Sequence, residues 1–501
     1  MMSDQGELPM LAAAVLQPGF TGTSAPDWVR RWLGAGLGGV ALFARNIESP
    51  AQVAALTARL RAEQPDVIVA IDEEAGDVTR LECRLGSSRP GNLALGAIDD
   101  PELTEAVARD LGRELAGAGI TLDYAPDADV NNNPDNPVIG VRAFGAEPHL
   151  VARHTAAFVR GLQESGVAGC AKHFPGHGDT SVDSHHDVPL IDRSAAELAA
   201  RELIPFGAAI AAGVKAVMTG HLMVPALDPE LPATLSPRIL TGLLREEFGF
   251  GGLIVTDAIE MQGVRRRFGL AGAAVRALAA GVDAICVGGE HADEQTAIRL
   301  RDAIVAAVRS GELPEGRLRD AAARVRELGA WTTRTREMRK GIAPGEAVGF
   351  AAARRAVRVT VADGGRGLPV SGVPHVVEFA PARNIAIGSE TPWGIGAPLA
   401  DLLPGTTSVR VTENDLAGAD PRGLLPVGRP IVLVVRDAHR HRWIAGALER
   451  MLAVRPDAIV VEMGIPMTVV GGVHIATFGA TRACGLAAAE LIAGAVVPVA
   501  A

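Results

Sequence analysis

The strongest constraint on this chain is an alternation that runs through about its first 330 residues, in which short apolar, β-branched runs are separated by Ala/Leu/Arg stretches of helical period. A strand covered on both faces reads as a continuous apolar run, and the helix that covers it reads as an amphipathic one. Their repeated alternation implies parallel strands joined by crossover helices. The strand segments are MLAAAVLQ (10–17), GGVALFA (38–44), DVIVAID (66–72), ITLDYAP (120–126), GVAGCAKHF (166–174), KAVMTGH (215–221), GLIVTDA (252–258) and DAICVGG (283–289). Helix-length segments such as 105–119 and 294–311 lie between them. Eight such units fit a closed (β/α)8, TIM-like barrel better than an open sheet, although an open doubly wound sheet has the same local pattern.

Polar residues are placed unevenly within these runs. Asp72, Asp123, Lys172 with His173, His221 and Asp257 all fall at or near the C-terminal end of a strand segment. Barrel enzymes build their active sites on that rim. A single polar strand end marks only where a loop begins, whereas five of them bring polar groups to one edge.

Between about 331 and 347, WTTRTREMRKGIAPGEA replaces the apolar period with charged, Pro and Gly residues, as expected of a linker. Beyond it, HVVEFA (375–380), TSVRVT (407–412), PIVLVVRD (430–437) and AIVVEMG (458–464) alternate with helical stretches such as HRWIAGALERMLAV. The expected organisation is α/β throughout: a barrel over 1–330, a linker over 331–347 and a smaller α/β sandwich domain over 348–501. A chain of 501 residues exceeds what one core usually supports.

Composition excludes some classes of function. The net charge of −10 is spread along the chain with no basic patch, so no nucleic-acid partner is expected. The opening MMSDQGELPM lacks the basic and apolar regions of a secretory signal, and no charge-free run reaches the roughly 18 to 20 residues of a membrane helix. The expectation is a cytoplasmic protein with no membrane partner. Cys83, Cys170, Cys286 and Cys484 lie far apart with no CxxC pair and read as reduced thiols.

The densest chemistry is KHFPGHGDTSVDSHHDVP (172–189), which gathers four of the chain's 12 histidines with three aspartates. In VDSHH, Asp183 and His185 are two residues apart, so an extended segment points them the same way and allows a carboxylate–imidazole pair able to move protons near neutral pH. A metal reading draws on His173, His177, Asp179, Asp183, His185, His186 and Asp187. Against it, two histidines in HxxxH share a face only in a helix, and Pro175, Gly176 and Gly178 disfavour one. A polar loop without chemistry is the third reading.

Three further stretches surround this loop in sequence. GLIVTDAIEMQG presents Asp257 at a strand end, where a carboxylate can act as a nucleophile, stabilise positive charge, or merely cap a helix. AIDEEAGDVTRL carries Asp72 and Arg80, and DYAPDADVNNNPDNPVIGVRAFG (123–145) delivers Arg142. Carboxylates interleaved with cations and amides suit a small-molecule carbohydrate, whose neighbouring hydroxyls both give and accept hydrogen bonds.

KHFPGHGDTSVDSH, NNNPDNPVIGVRAFG and VTDAIEM, in this arrangement, resemble glycoside hydrolase family 3, in its β-N-acetylglucosaminidase branch. The likeness spans the barrel and continues more weakly into VVEMGIP and ATFGATRACGLAAAELIAG. It implies retaining, two-step removal of terminal β-linked GlcNAc from muropeptides or chitooligosaccharides, without a cofactor or metal. Carried over, Asp257 is the nucleophile, His185 with Asp183 is the acid/base, and Asp72, Arg80, Arg142, Lys172 and His173 bind the sugar. A histidine acid/base bears no negative charge when it acts as a base, so phosphate can also approach the intermediate, and a phosphorylase is the alternative within this chemistry. A sugar-binding protein without turnover is the alternative outside it. The chain departs from the family's Asp-x-Glu-Gly-Gly-Arg stretch in DEEAGD, where Ala75 replaces the first glycine and Asp77 the arginine.

Overall fold

The computed structural model describes residues 4–180, 188–289, 291–338, 347–365, 367–382, 384, 386–388 and 391–495. The chain forms two compact units, one of Met1–Glu74, Pro101–Ile139 and Ala143–Gly345, the other of Ala75–Asp100, Gly140–Arg142 and Glu346–Ala501.

In the first unit the strands are β1 (Leu16–Pro18), β2 (Gly39–Leu42), β3 (Ile68–Ile71), β4 (Leu122–Asp123), β5 (Ala168–Phe174), β6 (Ala216–Thr219), β7 (Leu253–Thr256) and β8 (Ile285–Val287). Strands β2 to β7 pair in chain order, all parallel. A parallel bridge between Val255 and Ala284 carries the sheet to β8, β8 pairs with β1 from Leu16↔Ile285 to Pro18↔Val287, and β1 lies against β2. The ring therefore closes as a (β/α)8 barrel.

Ala41, Ile68, Ala70, Leu122, Tyr124, Ala168, Cys170, Ala216, Met218, Leu253, Val255, Ala284 and Cys286 form one buried cluster. Side chains from seven strands around a ring can meet only in its interior. Their spacing of two follows from the pleat, which sends alternate residues to one face. The helix Glu315–Met338 adds Val325, Leu328 and Trp331 to this cluster. It crosses the N-terminal ends of the strands: a Cβ on Gly38 would lie 2.7 Å from Val325, and one on Gly329 would lie 2.2 Å from the Asp66 carbonyl.

Two local expectations differ from the structure. Residues 10–14 belong to the helix Asp4–Ala14, with the strand beginning only at Leu16, because a short Leu/Ala run reads alike as buried helix or strand. Helix Glu315–Met338 runs into the stretch expected as linker, because Trp331 packs on the barrel core and the Thr332 and Thr335 hydroxyls bond back to the Gly329 and Trp331 carbonyls.

The second unit holds β9 (Arg358–Val361), β10 (His375–Phe379), β11 (Thr407–Val411), β12 (Ile431–Val435), β13 (Ile459–Glu462) and β14 (Val473–Ala476). Their order is β11-β10-β12-β13-β14-β9, parallel except for β9. Val376, Val432, Val434, Val461 and Ile475 pack on one face with helix Arg482–Ala493, and Val377, Phe379, Leu433, Val435 and Val460 on the other with helix Arg442–Val454. The result is an α/β sandwich. β9 and β14 are not among the segments read from the sequence; β9 is exposed along its length, so it lacks the apolar run of a buried strand.

Candidate active site

The inward period of the barrel strands positions the first group of polar residues. Continued two residues at a time, Ile68–Ala70 leads to Asp72, Ala168–Cys170 to Lys172, and Leu253–Val255 to Asp257. All three side chains are thereby set at the C-terminal rim, above the apolar plug.

Lys172 is buried, and its ammonium lies 2.7 Å from Asp72 Oδ1 and 2.6 Å from Glu74 Oε1. Glu74 is also buried, whereas Asp72 keeps 29% of its side-chain surface, so only Asp72 can share itself between the lysine and a ligand. Asp123, at the end of β4, is fully buried and accepts the Glu73 N–H through Oδ1 at 3.0 Å, which holds the backbone between the two carboxylates. Burial pushes the Asp123 carboxyl well above the usual carboxylate range, against the pull of that N–H and of Lys172. Glu74 was missed in the sequence reading. Its signal is the i, i+2 spacing from Asp72, which puts both on one side of an extended segment.

His173 forms the second group. Its Nδ1 lies 2.8 Å from Asp129 Oδ2 and 4.0 Å from Asp127 Oδ2, and both aspartates are buried. These two residues were also missed; they follow β4 in the sequence DAD. The three ligand atoms lie within 4.8 Å of one another, close enough to hold a metal ion, but His173 Nδ1 is already engaged at hydrogen-bond distance.

The segment beyond His173 is tied down residue by residue. His177 Nδ1 is 2.8 Å from Thr180 Oγ1, and the Asn136 amide donates to the His177 and Gly178 carbonyls at 2.9 and 3.1 Å. Asn133 donates to the Thr180 carbonyl at 3.0 Å, and Asp179 pairs with Arg193. Gly178 is required by close approach, since a Cβ there would lie 1.8 Å from the Val130 carbonyl oxygen. Asp183 and His185, the expected acid/base pair, lie outside the described residues, as do His186 and Asp187. The chain is described again from Val188, and Ile191 N donates to the Met223 carbonyl at 2.9 Å.

Asp257 follows β7 with its N–H on the Thr219 carbonyl at 3.1 Å and its Oδ1 accepting Ala258 N–H at 2.7 Å; the side chain is half-buried. His221, from the neighbouring strand, is buried between the Thr234 hydroxyl at 2.8 Å and the Ala258 carbonyl at 3.1 Å, and so fixes the loop that carries Asp257. The groups converge on common ground. The buried thiol of Cys170 is pushed well above its usual range by burial, then drawn down by Lys172 and raised further by Asp72, Asp123 and Asp257.

Arg80 and Arg142 belong to the second unit instead. Arg80 donates to the Ala386 carbonyl at 3.0 Å, and the Arg142 carbonyl accepts the Asn92 amide at 2.6 Å. The five expected sugar-binding residues thus divide, with Asp72, Lys172 and His173 assembled in the barrel. The unusual Asp77 has a partner in that second unit: Arg436 Nη2 lies 2.5 Å from its Oδ2, and Ala480 N–H donates to its Oδ1 at 2.8 Å.

Comparison with known proteins places this geometry. The chain is 33% identical to a glycoside hydrolase family 3 β-N-acetylglucosaminidase from Paenibacillus sp. str. FPU-7 and superimposes on it with a TM-score of 0.85, covering 98% of this chain and 97% of that one. It is 38% identical over 268 residues to beta-hexosaminidase A of Pseudoalteromonas piscicida, a match that takes in 49% of this chain and 45% of that protein, so it spans about half the length of that relative. A beta-hexosaminidase of Nitrosomonas eutropha is also 38% identical, over 52% of this chain and 76% of its own length. Residues 24–328 match the family described as glycosyl hydrolase family 3 N terminal domain, and with seven of the eight barrel strands and the polar rim inside that match, the chain belongs to glycosyl hydrolase family 3.

Proposed function

We propose that the protein is a retaining, exo-acting β-N-acetylglucosaminidase that removes terminal β-linked GlcNAc from muropeptides or chitooligosaccharides. The observation that carries this reading is the assembly of Asp72, Lys172, Glu74, His173 and Asp129 on the same barrel rim as Asp257. In the first step an Asp257 carboxylate oxygen bonds to the anomeric carbon while the glycosidic C–O bond breaks, and the leaving oxygen takes a proton from His185. In the second, water attacks the same carbon, His185 takes the water's proton and the Asp257 ester bond breaks. Asp183 orients the imidazole, and Asp72 and His173 hold the sugar hydroxyls, with Lys172 keeping Asp72 in place.

Work on imported cell-wall fragments in the cytoplasm is the setting we infer. Its support is the set of four cysteines, all buried and none in a disulfide, as expected of a reducing compartment. No helix among the described residues is long and apolar enough to cross a membrane.

The experiment is to incubate the folded protein with a chromogenic β-GlcNAc substrate and its β-glucoside counterpart, with and without phosphate. Release from the first, with free GlcNAc as product under both conditions, is expected. No release from the first ends the reading, and GlcNAc-1-phosphate as product replaces hydrolysis with phosphorolysis.

A further inference from the structure

We infer that Asp129 is a positioning residue that sets which nitrogen of His173 carries the proton, so that the site offers a ligand hydroxyl an acceptor at Nε2. The inference rests on the reading that His173 holds the sugar, and the geometry behind it is independent of that reading.

The two oxygens of Asp129 have different partners. Oδ1 accepts two backbone N–H groups, His173 at 3.2 Å and His177 at 2.6 Å, while Oδ2 faces His173 Nδ1 at 2.8 Å. An ionised carboxylate only accepts, so Nδ1 must be the protonated nitrogen, and in the neutral ring Nε2 keeps its lone pair. Asp127 Oδ2, at 4.0 Å from the same Nδ1, places a second carboxylate on that side of the ring. The ring is also fixed in tilt. His177 meets it edge-on with centroids 5.8 Å apart, and His177 is itself held by Thr180. The His173 ring therefore can neither turn nor flip without breaking the Asp129 contact.

The arrangement makes Asp129→Asn a sharp perturbation. Both backbone donors converge on Oδ1, and only an oxygen can satisfy them, so the amide oxygen of the variant must take that place. The amide nitrogen then faces His173 Nδ1, which must give up its proton and become an acceptor. The proton moves to Nε2. A substitution of nearly equal volume thus converts the ligand-facing nitrogen from acceptor to donor. A site built to accept a hydroxyl proton would then meet that hydroxyl with a second donor.

The test uses the full chain and D129N, with nitrogen-15 NMR of labelled histidines to read the tautomer and H173Q to assign the His173 signals. Expected are an Nδ1–H tautomer in the parent protein and an Nε2–H tautomer in D129N. With the chromogenic β-GlcNAc substrate, KM should rise about 10- to 100-fold in D129N, with kcat changed much less. The parent spectrum needs neither substrate nor variant, so it decides the tautomer even if D129N fails to fold or the protein cleaves no GlcNAc substrate. Protonation of Nε2 in the parent, alone or together with Nδ1, or an unchanged tautomer in folded D129N, overturns the assignment. An inverted tautomer with unchanged KM overturns its role toward the ligand.

Discussion

Arg436→Met removes the guanidinium that lies 2.5 Å from Asp77 Oδ2, at a place where Asp77 and Arg436 are only 6% and 8% exposed. With charge centres about 4 Å apart and an effective dielectric constant of about 20, the pair attracts by about 4 kcal/mol. Desolvating two ions costs several kcal/mol each, so the intact pair contributes little more than a well-packed apolar pair of the same volume. Breaking it is a different matter, because the carboxylate stays buried after the cation has gone. The expected cost of R436M is about 3–5 kcal/mol, and D77L/R436M should recover part of it, the remainder being the Ala480 N–H left without its acceptor. For a unit of this size that corresponds to a fall in Tm of roughly 6–20 °C. Circular dichroism melts of the full chain and the two variants measure it. D77R, which restores the residue type of the family pattern at this position, should be at least as damaging as R436M, since two guanidinium groups would then face each other. An R436M melt within about a degree of the parent, or a double variant no better than the single one, would refute the reasoning.

Other outcomes follow from the same geometry. Burial and the nearby Asp437 carboxylate push Glu462 up to about 7, against three backbone N–H donors. Its folded value exceeds its unfolded one, so its stabilisation is complete below about pH 4.5 and is lost as pH rises through about 7, by about 3 kcal/mol in all. Denaturant titrations between these pH values should show that slope in the parent and a flatter one in E462Q; equal slopes would contradict it. D257A should release no product from any β-GlcNAc substrate, since the covalent intermediate cannot form. H185A should slow substrates with poor leaving groups at least 100-fold and activated ones much less, because only the former need a proton; if H186A shows that split instead, the acid/base is His186.

The parts of the site legible in the sequence are those that depend on local period. Ile68–Ala70–Asp72, Ala168–Cys170–Lys172 and Leu253–Val255–Asp257 each alternate along a single strand, so the pleat alone brings their polar ends to the rim. Asp129 carried no such signal of function, and the spacing of Glu74 from Asp72 does not say which cation the two would share. Each is one carboxylate in a polar loop, and its meaning lies in a lysine or histidine on another strand, reached by hydrogen bonds of 2.6 and 2.8 Å.

The chain by itself determined that it would alternate strand and helix, where most of the strands would fall, and which strand ends would be polar, because backbone pleat and helical pitch act over a few residues. Only the tertiary structure decided that Trp331 would draw its helix across the N-terminal end of the barrel, that 75–100 and 140–142 would pack with the second unit, and that Asp77 would meet Arg436. Burial and ion pairing are properties of atoms brought together from distant parts of the chain. No period along the sequence records which carboxylate a buried cation will find.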